Sequence, residues 1–177
     1  MGLMLTKNGS GQRQMPHELD AVDRKIIRVL QQDGRTPNVE IARQVGVSEP
    51  TVRKRLSRLV SARVIRITAM LDPIQVGFST IAFVMLSVEL AKAGQIANEI
   101  ARLPEVRTIH LTTGGSELLV EAWFTSSNDL LRFMTQQIGG ISGIRRTATS
   151  HVLQTIKDGS GWVLPFLSPG GQSSGSL

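Results

Sequence analysis

The 177 residues include no cysteine and no tyrosine. The first absence excludes disulfides, thiolate metal sites and a cysteine nucleophile. The second removes a phenolic acid from any proposed catalytic set. No apolar run is long enough to span a bilayer. The opening stretch, MGLMLTKNGSGQRQMP, has too short an apolar patch for a secretory signal, so a cytoplasmic protein is expected. Histidine is scarce: His17 lies in a polar leader, and His110 and His151 fall in expected strands as packed or surface residues. None has the paired histidine–carboxylate spacing of a metal site. No catalytic residue, metal or cofactor is expected.

The charge is unevenly placed. Residues 1–66 hold 13 Lys/Arg and 6 Asp/Glu, for +7, whereas residues 67–177 hold 7 and 8, for −1. The +6 of the whole chain therefore arises entirely in its front part. That asymmetry points to a polyanion partner for the front and a different task for the back. The length suits one or two domains with real cores.

Residues 36–60, TPNVEIARQVGVSEPTVRKRLSRLV, read as two short helices around a turn at Gly46. Thr36 is expected to cap the first, with Pro37 at its first helical position. Val39, Ala42 and Val45 are expected on its inner face. Gly46 tolerates the left-handed backbone of a tight turn. Ser48 suits the N-cap of the second helix, with Pro50 in its first turn. Val52, Leu56, Leu59 and Val60 recur at i, i+4, i+7 and i+8 as a buried stripe. Arg53, Lys54, Arg55 and Arg58 occupy the other face. A small residue, a glycine four later and a β-branched residue six after that are the packing pattern of a helix-turn-helix. A helical hairpin with a merely solvated basic face is the plainer reading of the charges. The cap, turn, stripe and one-signed face together favour DNA.

Residues 1–17 read as a disordered arm, a plain flexible tail being favoured over phosphate contacts from Lys7 and Arg13. A helix is expected from Asp20, with Asp23 in its first turn, Val22, Ile26, Val29 and Leu30 inward, and Gly34 at its end. It would complete a three-helix core over residues 18–66. The run VIRITAML after Arg63 reads as a strand, and residues 67–77 as a linker. Residues 78–157 then alternate: strand 80–90, helix 93–103, strand 105–112, a Gly114-Gly115 turn, strand 117–124, helix 127–138 and strand 144–156. On the last strand Thr147, Thr149 and His151 share a face, with Val152 on the other. The order βαββαβ is that of a ferredoxin-like sandwich, an antiparallel sheet with both helices on one face. The uncovered face is expected to pack on a second copy. Residues 158–177 read as a flexible tail, with Trp162, Val163, Leu164 and Phe166 as its apolar exception.

With these elements in order, the chain resembles the Lrp/AsnC family of bacterial and archaeal transcriptional regulators. The matching stretches are LDAVDRKIIRVLQQDGR, NVEIARQVGVSEPTVRKRLSRL, VIR…LDPIQVG, TGG…LL and GIRRTATSHVLQTIK, from residue 19 to residue 157. The resemblance implies an α+β protein: an N-terminal helix-turn-helix domain, winged-helix-like, followed by a ferredoxin-like α/β-sandwich. The first would bind double-stranded DNA; the second would dimerise, with assembly up to octamers, and sense a small molecule of amino-acid type. By position, Ser48, Glu49, Pro50, Thr51, Arg53, Lys54, Arg55 and Arg58 fall on the recognition helix. Effector sites of the family lie near a turn that usually reads Thr-Gly-Asp-x-Asp. Here Thr112 is followed by Thr113-Gly114-Gly115-Ser116-Glu117, so one acidic residue is missing and the other lengthened. In this reading the hydroxyls and the Gly114-Gly115 N–H groups cradle a carboxylate, and Glu117 meets an ammonium group. Tetrapyrrole decarboxylases share a similar two-domain plan, and a nucleoid-packing protein of low specificity would use the same helix. The lack of tyrosine, the isolated histidines and the basic recognition helix weigh against the enzyme.

Overall fold

The computed structural model describes residues 18–159. The arm at 1–17 and the segment Trp162–Phe166 lie outside the described residues. The chain forms two compact units that part between Ala69 and Met70, inside the stretch expected as a linker.

The front unit has three helices: α1 (Ala21–Gln32), α2 (Asn38–Val45) and α3 (Glu49–Ser61). Asp20 caps α1 in a reciprocal box: its carboxylate accepts from the Asp23 N–H at 2.8 Å, and Asp23 Oδ2 accepts from the Asp20 N–H. Gly46 adopts φ +80° and ends α2, and its N–H donates to the Ala42 carbonyl at 2.9 Å. The core gathers Ile26, Ile27, Ile41, Ala42, Val45, Val52 and Leu59, all buried. Ala42 packs in the same core as Val52, consistent with a close helix crossing.

Four local features depart from what the sequence leads one to expect. Pro37, not Thr36, is the N-cap of α2, and Thr36 instead donates its hydroxyl to the Asp33 carbonyl. Val39 is 70% exposed, because Ile41 takes the inward position that the i, i+3 count assigned to it. Val60 is also largely exposed, at the rim of the stripe. VIRITAML forms no strand: Val64 and Ile65 turn onto the helical core, and their N–H groups bond the Leu59 carbonyl.

The back unit is a four-stranded antiparallel sheet in the order β2-β3-β1-β4, with β1 Thr80–Val88, β2 Val106–Leu111, β3 Leu118–Phe124 and β4 Ile144–His151. α4 (Ala93–Ile100) follows β1, and α5 (Ser127–Arg132) follows β3 and runs on as a π-helix over Phe133–Ile138. Strict alternation along β1 and β3 buries Ala82, Val84, Leu86, Leu118, Val120, Ala122 and Phe124 against Ile96, Ile100, Phe133 and Ile138. Phe124 and Phe133 meet edge to face at 5.2 Å. The ferredoxin-like sandwich follows from this order. β4 stops at His151 rather than residue 156, because its partner β1 begins at Thr80. After the bond from the Val152 N–H to the Ile81 carbonyl, no ladder remains to join.

The cross-strand register sets what the other sheet face presents. Ile81, Phe83 and Met85 of β1 lie beside Trp123, Glu121 and Leu119 of β3, and Phe83, Met85 and Ser87 lie beside Ser150, Ala148 and Arg146 of β4. No helix of the back unit covers this largely apolar face.

Candidate nucleic-acid interface and effector pocket

α3 is held at both its start and its flank. Ser48 caps it, and the Ser48 and Thr51 hydroxyls lie 2.8 Å apart. Its basic side chains then divide into two groups. Arg55 reaches across to α1, where Nη1 donates to Asp20 and to Asp23 Oδ1, the latter at 3.1 Å. Arg58 donates to Asp23 Oδ2. The Asp23 side chain is fully buried, so these two arginines supply its charge partners from 32 and 35 residues away. Arg53 and Lys54 stay outward. Arg53 lies on Glu49 at 2.8 Å, one helical turn back, and remains 72% exposed. Lys54 is exposed as well.

The Arg55 guanidinium, hydrogen-bonded to Asp20, pulls that carboxyl down to about 2, with help from the Asp23 N–H. A carboxyl depressed in the folded state adds stability above its ordinary pKa and loses it as acid protonates it. The contribution of Asp20 is therefore complete above about pH 4 and lost between there and about pH 2. Acid titration of the intact protein, followed by helical circular dichroism, should lose part of that steep response in Asp20→Asn. An identical acid profile for both proteins would show that the cap carries no linkage.

Around the 112–117 turn the structure places the expected residues in two different roles. The Thr112 hydroxyl donates to the Ser116 carbonyl at 2.7 Å, and the Thr112 N–H donates to the Glu117 carbonyl at 2.8 Å. Gly114 takes φ +121°, a conformation side chains resist. Glu117 does not face the pocket as an ammonium partner. Its Oε2 accepts the Val88 N–H at 2.8 Å, a bond that holds its carboxyl below the usual range. Thr112, Thr113, Gly115 and Ser116 line a pocket of about 430 Å³ together with Met85, Leu119 and Ala148 of the open sheet face. Arg146 of β4 lines it too. Sequence reading missed Arg146 because nothing local marks it; only the pairing of Arg146 with Ser87 sets it on this face.

Two family models match the chain: the AsnC-type helix-turn-helix domain over residues 19–60 and the Lrp/AsnC ligand binding domain over residues 81–162. The chain belongs to the Lrp/AsnC family of transcriptional regulators. An uncharacterised HTH-type regulator of Pyrococcus abyssi is 38% identical over 141 residues, covering 79% of this chain and 89% of that one. The regulator FL11 of Pyrococcus horikoshii is 36% identical, covering 79% and 93%. Among solved structures, Escherichia coli AsnC superimposes with a TM-score of 0.76 at 26% identity, covering 80% of this chain and 97% of AsnC. A Neisseria meningitidis regulator in complex with L-methionine superimposes with a TM-score of 0.77 at 31% identity, covering 85% and 100%. This Lrp/AsnC protein is thus a helix-turn-helix, DNA-binding transcriptional regulator with an effector-responsive domain. Among its described residues, no helix is long and apolar enough to cross a membrane.

Proposed function

We propose that the protein regulates transcription from the nucleoid as a homodimer, able to assemble further to octamers, and that an amino-acid-type metabolite bound beside the 112–117 turn changes that assembly. The observation that carries the DNA reading is the division of labour on α3. Ser48, Glu49, Pro50, Thr51, Arg53 and Lys54 form the outward first turns, which meet the major groove. Arg55 and Arg58 keep the helix at its angle through Asp20 and Asp23, and touch phosphate only at the flank. The Arg53–Glu49 pair is exposed, so it costs less than about 1 kcal/mol to open when Arg53 turns to a guanine. Binding of the intact protein to genomic fragments, mapped genome-wide, tests the reading: a small set of strong sites supports it, and uniform coverage supports packing without sequence preference.

The dimer reading rests on the open sheet face, where Ile81, Phe83, Met85, Leu119 and Trp123 lie side by side. An exposed apolar patch of this kind is a common association surface. Phe83→Glu with Met85→Glu should leave the fold intact and give a monomer by light scattering at micromolar concentration. The variant should also bind operator DNA far more weakly, because two linked half-sites are reduced to one. A parent protein that is itself monomeric at that concentration would end the proposal.

A further inference from the structure

The pocket beside the 112–117 turn has a one-sided chemistry. Arg146 is the charged residue among those lining it, and no described residue forms an ion pair or hydrogen bond with its guanidinium. The acidic residue of the turn, Glu117, is committed to the Val88 N–H. At Gly115, where the resemblance leads one to expect aspartate, there is no side chain at all. Among the described residues, the N–H groups of Thr113, Gly115 and Ser116, which line it, have no backbone acceptor. Within one chain the polar end therefore offers donors and carries no free carboxylate. The remainder of the wall is apolar, from Met85, Leu119 and Ala148.

We infer that this pocket takes an α-keto acid with an apolar side chain in preference to the matching amino acid, an inference that rests on the effector reading above. The head of an α-keto acid presents a carboxylate and a carbonyl oxygen, acceptors only. The carboxylate pairs with the forked guanidinium of Arg146 in the geometry this group favours. The carbonyl accepts from the turn N–H groups or the Thr113 hydroxyl. An amino acid offers the same carboxylate but adds an ammonium group. That group would lose water without gaining an anionic partner, and would lie near a like charge on Arg146. Donor groups of the turn would also face its donors. The apolar side chain is received equally in both cases, so the head group alone decides.

The experiment is calorimetry on the intact protein with leucine, methionine and their α-keto acids. The keto acids should bind at least about tenfold more tightly than the amino acids. Arg146→Gln should lose at least about tenfold in keto-acid affinity, and Arg146→Lys should fall between, since it keeps the charge but not the fork. Arg146 is exposed, so an unchanged melting temperature should show that the loss is not unfolding. Gly115→Asp is the reverse test. A Cβ there meets nothing within 4 Å, and the added carboxylate should move the preference toward the amino acids. Equal or tighter binding of the amino acids by the parent overturns the keto-acid assignment and leaves the effector reading standing. Keto-acid binding that is unchanged in Arg146→Gln also overturns it. Binding of neither class overturns both.

Discussion

Asp23→Ala is expected to unfold the front unit and abolish DNA binding. Asp23 is fully buried and is approached by Arg55 and Arg58 from α3, while its other contact closes the α1 cap. Removing it leaves two guanidinium groups facing a void between helices. Breaking a buried pair on one side costs about 3–5 kcal/mol; because the two arginines remain partly exposed, a loss of about 2–4 kcal/mol is expected. A domain of this size holds only a few kcal/mol in all, so the loss is comparable to its whole stability. The readout is amide exchange across α1, α2 and α3 in the intact protein. Protection there should collapse while β1 and β3 stay protected. Asp23→Asn, which keeps the volume and part of the bonding, should lose less. Parent-like protection of α3 in Asp23→Ala would show that the apolar core alone orients the recognition helix.

Arg53→Ala combined with Lys54→Ala is expected to weaken DNA binding by at least about a hundredfold in a dimer, where each change counts twice. The stability of the front unit should hardly change, since Lys54 is exposed and the Arg53–Glu49 pair contributes little. The salt dependence should flatten by about one unit for each phosphate contact removed. Arg55→Ala with Arg58→Ala should show the opposite profile: a large loss of thermal stability, with the salt slope of the remaining folded protein less altered. Filter binding over a salt series, with melts of both doubles, separates the two. Parent-like affinity in the Arg53, Lys54 double would remove this helix from the interface.

Much of the architecture was legible because helix and strand periods are local properties of the backbone. The alternation in β1 and β3, the Gly46 turn, the Ser48 and Asp20 caps and the βαββαβ order each depend on residues within a few positions of one another. The Thr36 cap and the Val39 face were lost to near neighbours, Asp33 and Ile41, whereas the two misread strand segments depended on a distant partner. VIRITAML has the composition of a strand, but no neighbouring strand pairs with it, and Val64 and Ile65 have a helical core to join. The end of β4 is decided by where β1 begins, not by anything in residues 152–156.

The same distinction runs through the sites. That α3 is basic, and that the 112–117 turn is rich in glycine, could be read residue by residue. Which charges are free could not. Arg53, Lys54, Arg55 and Arg58 look alike along the helix, yet two are drawn to Asp20 and Asp23 across a gap of more than thirty residues. Glu117 is taken by a strand 29 positions earlier, and Arg146 reaches the same pocket from the opposite edge of β1. The sequence by itself determined the helices and the four sheet strands in outline, the two-domain order and the sign of the charge. Tertiary structure alone decided which charged groups are spent and which remain open to a partner, because pairing energies depend on distances in space that chain spacing does not specify.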